Sequence, residues 1–283
     1  MKLMRVGPAG GERPAALGDD GTIWDLSTLG REIDGDFLAT GGIVKARAAL
    51  AAGSLPPIAP DGLRIGAPIA RPQKIVAIGL NYRDHVEETG ATPPDEPVVF
   101  LKAPNCVVGP NDDILIPRHS EKTDWEIELA VVIGARARYL DSPDDSQSVV
   151  AGYALSNDVS ERAFQLERGG QWTKGKSCET FNPLGPWLVT PDEVGDPQSI
   201  GLRLSVNGVA RQHSSTREMI FGVAHLIWYV SQFMVLEPGD VLNTGTPAGV
   251  SQGDPQVPFL RHGDVVELEA DGLGRQRSRV IQA

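Results

Sequence analysis

From Lys74 onward the apolar residues fall in short runs bounded by polar or turn-forming residues, not in long helical stretches. Lys74-Ile75-Val76-Ala77-Ile78-Gly79, Val98-Val99-Phe100-Leu101, Ile114-Leu115-Ile116 and Val149 to Leu155 are of this kind, and such runs predict strands. Trp125 to Ile133 shows the alternation of a strand, with Glu126, Glu128 and Ala130 on one side and Ile127, Leu129 and Val131 on the other. Trp187-Leu188-Val189, Leu202 to Val206, Val241-Leu242 and Val265 to Leu268 continue the series. Helices are expected at Asp84 to Thr89, where Gly90 ends the pattern, and at Glu161 to Arg168. Met219 to Leu236 is the longest apolar stretch, interrupted by His225, Ser231 and Gln232, and is expected to be a buried helix. Without a regular strand–helix alternation, a Rossmann or barrel architecture is a poor fit; the pattern predicts a β-rich α+β protein.

The first 55 residues read as a small unit of their own. Two strand-like segments, Leu3 to Val6 and Thr22 to Leu26, flank a Gly-rich region, and an Ala-rich helix follows at Ile43 to Ala52. Leu55-Pro56-Pro57-Ile58-Ala59-Pro60 reads as a linker, since proline interrupts helices and central strands. The expected division is a small N-terminal domain with linker over 1–71 and a catalytic domain over 72–283.

Charge then narrows the range of functions. A formal charge of -11 over 283 residues argues against a nucleic-acid partner, which would require a clustered positive surface. An acidic substrate would need a metal or a few placed Lys and Arg. Cys106 and Cys178, the only cysteines, make neither a disulfide framework nor a thiolate zinc site. The start breaks at Gly7-Pro8 with no apolar core, so no signal peptide is expected, no membrane span is expected, and the cytoplasm is the expected compartment.

Gly170 to Ser177 matches the phosphate-loop pattern G-x-x-x-x-G-K-S. That loop works between a strand and a helix, whereas here a helix precedes it and Pro183 and Pro186 follow, so the match is accidental and Lys176 needs another explanation. Glu126-Ile127-Glu128 would set two carboxylates side by side on one strand face. They would repel unless solvated or sharing a hard cation, which favours oxygen ligands. Asp158, three before Glu161, has the spacing of a helix N-cap, compatible with ligation through its second oxygen. Arg162 and Gln165 share a helix face; Arg162 could fork onto a substrate carboxylate or pair with Glu161 or Glu167. His85 and Glu88 lie one helical turn apart, where a carboxylate would orient the imidazole and raise its basicity. Asn243-Thr244-Gly245-Thr246-Pro247 is a tight turn that could cap an anion or simply join strands. His119, His213, His225 and His262 share no ligand spacing.

N-Y-x-x-H-x-x-E, D-W-E-x-E-L, N-D-V-S-x-R-x-x-Q, a G-K-S loop and T-G-T-P-x-G occur in this order, and the set resembles the fumarylacetoacetate hydrolase family over roughly residues 72–283. The resemblance implies a mixed β-sandwich roll, a cleft site and a homodimer. It implies Mg²⁺ or Mn²⁺ held by Glu126, Glu128 and Asp158, a water-activating pair in His85 and Glu88, and substrate contacts from Arg162, Gln165, Lys176 and Thr246. The small N-terminal unit is similar to that of bacterial members acting on sugar acids or ureidoglycolate. The expected reaction is hydrolysis of an acylpyruvate keto acid, a 2,4-diketo-3-deoxy sugar acid foremost, to pyruvate and a carboxylic acid. Oxaloacetate decarboxylation and a ureidoglycolate lyase step are the alternatives on the same metal site.

Overall fold

The computed structural model of the protein describes residues 1–60 and 62–283. The strand Ile127–Ile133 lies at its centre and is buried at every position. A strand covered on both faces needs apolar side chains on both, and Ala130 and Val132 supply the second face opposite Ile127, Leu129, Val131 and Ile133. Val150–Asn157 pairs antiparallel along one side, in register from Ile127↔Asn157 to Ile133↔Val150 with an irregularity at Val132/Ile133. On the other side come Val241–Asn243, then Ile75–Gly79 parallel to it, then Val98–Lys102.

In the opposite direction the sheet continues through Leu188–Val189 into Lys2–Val6, Arg13–Leu17, Ile23–Asp25 and Pro57–Ile58. Among the described residues this makes an eleven-stranded sheet, and the N-terminal strands join it through Leu3↔Leu188. The segment expected as a linker differs from expectation: Pro57–Ile58 pairs with Ile23–Trp24 as the last strand of the path. A sheet margin is where proline, lacking an N–H, is tolerated.

A five-stranded sheet, in the order Val209–Ser215, Gly201–Val206, Val265–Ala270, Gly274–Gln282 and Ile114–Ile116, packs on the central strands. Its polar side chains close the seam: Gln212 Oε1 accepts from the Ile127 N–H at 3.0 Å, and Gln276 Nε2 donates to the Leu155 carbonyl at 2.8 Å. The architecture is thus the mixed, strand-rich α+β arrangement that the pattern predicts.

The helix expected over Met219 to Leu236 spans only Val223–Ser231. The ends of that apolar run are taken by other partners: Met219 bridges Tyr82, and Leu236 bridges Ala137. Among the described residues, no helix is long and apolar enough to cross a membrane.

Candidate active site

The ladder register builds the site. Because Ile127 pairs with Asn157, Asp158 falls beside Glu126, and its N–H donates to the Glu126 carbonyl at 2.9 Å. One oxygen each from Glu126, Glu128 and Asp158 then lies within 4.8 Å of the other two, and all three residues are buried. The Glu126–Glu128 pair is therefore no solvated strand face.

Asp158 is not a helix cap. The helix is Arg162–Leu166, capped by Glu161, whose carboxylate accepts from the Ala163 N–H at 3.3 Å. Ser160–Glu161 first pairs with Thr123–Asp124 as a short strand, which delays the helix and leaves the Asp158 carboxylate to other partners. These are cations. Lys176 Nζ donates to Asp158 Oδ2 at 2.8 Å and to Glu126 Oε2 at 2.7 Å, while Lys102 Nζ donates to Asp158 Oδ1. Arg162 pairs with neither Glu161 nor Glu167. Its Nη1 lies 2.7 Å from Glu126 Oε1, its Nε donates to Asp124 Oδ2 at 2.9 Å, and Nη1 also donates to Gln165 Oε1 at 3.0 Å.

The accidental phosphate motif acquires a packing explanation. Thr173–Lys176 is a single helical turn, and the next element is the short strand Asn182–Pro183. A Cβ on Gly175 would meet the Glu161 carbonyl at 2.5 Å, so glycine lets this turn approach the preceding segments and aim Lys176 inward.

The electrostatics are uneven. Burial pushes the Glu126 carboxyl up, but Lys176 and Arg162 outweigh it and hold the group at about 2. Burial also pushes Glu128 up, and there the Asp158 and Glu126 carboxylates add to the effect, leaving it well above the usual carboxylate range. Four carboxylates (Asp124, Glu126, Glu128, Asp158) meet three cations (Lys102, Arg162, Lys176), and among the described residues Glu128 forms no ion pair. Among those residues its one hydrogen-bond donor is the Gly245 N–H at 2.9 Å. A buried all-oxygen set with surplus negative charge fits a hard divalent cation.

His85 and Glu88 sit on the helix Arg83–Thr89, which Gly90 ends in a left-handed conformation. His85 Nδ1 lies 3.3 Å from Glu88 Oε2, and Glu88 Oε1 accepts from the Gly249 N–H at 2.9 Å. A cavity of about 320 Å³ brings the pair together with Glu126, Arg162, Gln165, Lys176 and Thr246. The Thr246 turn is not a hairpin connection. Its hydroxyl donates to the Ile127 carbonyl and accepts from Gln212 Nε2, both at 2.9 Å, so it braces the turn against the central strand.

Two buried groups escape the sequence pattern. Asp124 accepts from Arg162 and from the N–H groups of Ser251 and Gln252 at 2.9 and 3.0 Å. It shares the strand parity of Glu126 and Glu128, a signal that could have found it. Lys102, buried at the end of Val98–Lys102, also donates to the Phe181 carbonyl at 2.7 Å. A lysine closing an apolar run was its only signal.

A buried carboxylate cluster that could hold a metal ion thus lies beside an imidazole–carboxylate pair at one end of a mixed sheet. The fumarylacetoacetate hydrolase C-terminal family model matches residues 74–281. A Burkholderia multivorans protein, named no more specifically than a hydrolase, is 51% identical over 277 residues, 98% of this chain and 97% of its own. The fumarylacetoacetate hydrolase of Exiguobacterium antarcticum superimposes with a TM-score of 0.86 at 33% identity, covering 100% of each chain. The maleylpyruvate hydrolase of Sphingobium sp. SYK-6, solved with manganese(II) and pyruvate, does so with a TM-score of 0.82 at 28% identity, again over 100% of each chain. The chain belongs to the fumarylacetoacetate hydrolase family.

Proposed function

We propose that the protein is a divalent-metal-dependent hydrolase that cleaves an acylpyruvate to pyruvate and a carboxylic acid. The observation that carries this reading is the buried cluster in which Glu128 has no cation partner among the described residues, reached through Glu126 from a cavity that His85 and Glu88 also line. Glu126, Glu128 and Asp158 would hold Mg²⁺ or Mn²⁺, which when bound supplies positive charge for the oxygens of a 2-keto acid.

The chain's own residues divide the rest of the work. Arg162 and Gln165 bind and orient the substrate carboxylate at the cavity floor. His85, oriented by Glu88, takes a proton from water, and the hydroxide adds to the distal carbonyl carbon. The C–C bond then breaks, its electron pair passes to the pyruvate fragment as an enolate, and the distal fragment leaves as the carboxylic acid. The Lys176 ammonium faces the developing enolate charge in a site shielded from water. The protonated His85 returns the proton to the enolate carbon, which gives pyruvate, so substrate and one water are fully accounted for. The bound manganese and pyruvate of the Sphingobium maleylpyruvate hydrolase support this reading.

The test is turnover of a panel of acylpyruvates, including 2,4-diketo-3-deoxy sugar acids, with oxaloacetate and ureidoglycolate alongside, before and after chelation. Acylpyruvate hydrolysis should vanish with EDTA and return with Mg²⁺ or Mn²⁺. Activity indifferent to chelation, or faster turnover of oxaloacetate or ureidoglycolate, would overturn the proposal.

A further inference from the structure

The cavity has two unlike sides. Its floor carries Glu126, Arg162 and Lys176, whereas Ile78, Phe100, Leu166, Trp172 and Val250 line other parts of it. Phe100 and Trp172 meet edge to face, with centroids 5.3 Å apart. Phe100 marks the border, since the Lys176 ammonium lies 5.2 Å from its ring centre. The indole is seated over Gly79, where a Cβ would come within 2.3 Å of Trp172 Cζ3. Ending the strand Ile75–Gly79 in glycine therefore makes room for the aromatic wall.

Several polar groups of the lining are already engaged, whereas the side chains of Ile78, Phe100, Leu166 and Val250 offer none. Among the described lining residues, Arg162 and Lys176 are the fixed cations; both are paired with carboxylates, and the proposed reaction already assigns Arg162 to the keto-acid carboxylate and Lys176 to the enolate, which leaves none for a second carboxylate. The Thr89 hydroxyl donates to the His85 carbonyl and the Thr246 hydroxyl to the Ile127 carbonyl, both at 2.9 Å. A second carboxylate against the aromatic wall would lose its hydration without gaining a cation, and a polyhydroxy chain would lose hydrogen bonds to water there. An alkyl or aryl group would instead gain from burial.

We infer that the acyl end of the substrate is uncharged and apolar, seated against Phe100 and Trp172, and that the enzyme selects such acylpyruvates over those with a carboxylate or several hydroxyls at that end. This rests on the acylpyruvate hydrolase reading above. It replaces the sugar-acid tail expected from sequence resemblance with an alkyl or aryl one.

The experiment compares kcat/KM of the metal-loaded enzyme for acetylpyruvate, hexanoylpyruvate, benzoylpyruvate, a 2,4-diketo-3-deoxy sugar acid and an acylpyruvate with a terminal carboxylate. The hexanoyl or benzoyl substrate should exceed the acetyl one by on the order of tenfold, and the diacid should fall below it by about 100-fold. Leu166, 44% exposed at the rim, tolerates substitution, and Leu166→Arg should raise the diacid-to-benzoyl ratio by on the order of tenfold. A diacid or sugar acid cleaved as fast as benzoylpyruvate overturns the inference while leaving acylpyruvate hydrolysis in place. So does a ratio that Leu166→Arg leaves unmoved. Cleavage of none of the panel sinks the hydrolase reading and the inference with it.

Discussion

Two regions of this molecule are crowded with opposite charges. On the five-stranded sheet, Arg275 lies 3.0 Å from Glu269 and Arg277 lies 3.5 Å from Glu267, with the arginine side chains 77% and 60% exposed. At the end of Ile127–Ile133, Arg162, Lys176 and Lys102 meet Asp124, Glu126 and Asp158 with all six side chains at 7% exposure or less. Similar contacts carry different weight. Exposed pairs are each worth about 0–1 kcal/mol, because water screens them. Removing one partner of a buried pair typically costs about 3–5 kcal/mol, because the other is left unsolvated. Buried charge persists only where the surroundings answer it, and among the described residues Glu128 is answered by no ion pair, which is why the proposed cation is placed beside it.

Glu128→Gln tests that contrast most severely. It should weaken Mn²⁺ binding by on the order of 100-fold or more and abolish turnover, as read by calorimetric titration and assay. The metal-free variant should nevertheless melt at or above the wild-type temperature, because a raised pKa marks a carboxylate whose charge is unfavourable in the folded protein. A lower melting point would break the comparison. His85→Ala should lower kcat by about 10²–10⁴-fold while the Mn²⁺ titration stays unchanged. Unchanged turnover would remove His85 and Glu88 from the scheme.

An intermediate case sharpens the scale. Glu12 is largely buried between Arg5 and Arg64, at 3.3 and 2.8 Å. Burial alone would raise its pKa, but the hydrogen bond from Arg64 and the charges of both arginines bring it below the ordinary value of 4.5. A depressed carboxyl contributes stability that is present above its unfolded pKa and is lost as pH falls through the folded one. Glu12→Gln should therefore cost about 1–2 kcal/mol at pH 7, with the difference from wild type shrinking once pH drops below 4.5. A difference independent of pH would show packing, not charge, to be responsible. At the small end, Arg277→Gln should change stability by under about 0.5 kcal/mol in a thermal melt.

Runs such as Ile75–Gly79 and Ile127–Ile133 are legible from sequence because burial makes them uniformly apolar. Val209–Ser215 and Gly274–Gln282 are not, since Arg211, Gln212, Arg275 and Arg277 interrupt any apolar run and pairing alone makes them strands. Of the site, the strand parity of Glu126 and Glu128 and the one-turn spacing of His85 and Glu88 are visible in the chain. The placement of Asp158 depends on a ladder register between distant segments, and residue spacing carries no trace of that. The same holds for Lys102, whose role appears only when Asp158 arrives beside it.

Asp124 grips Arg162 on one side and the Ser251–Gln252 backbone on the other, and Gly253, next in the chain, lies against Glu88. An inherited change at Asp124 would disturb, in one generation, both the Arg162 guanidinium and the loop that lies against Glu88. Leu166 has no such ties, so drift can test new residues there singly. Divergence among descendants of this chain should therefore run along the cavity rim, while Asp124 is held in place by its ties to both segments.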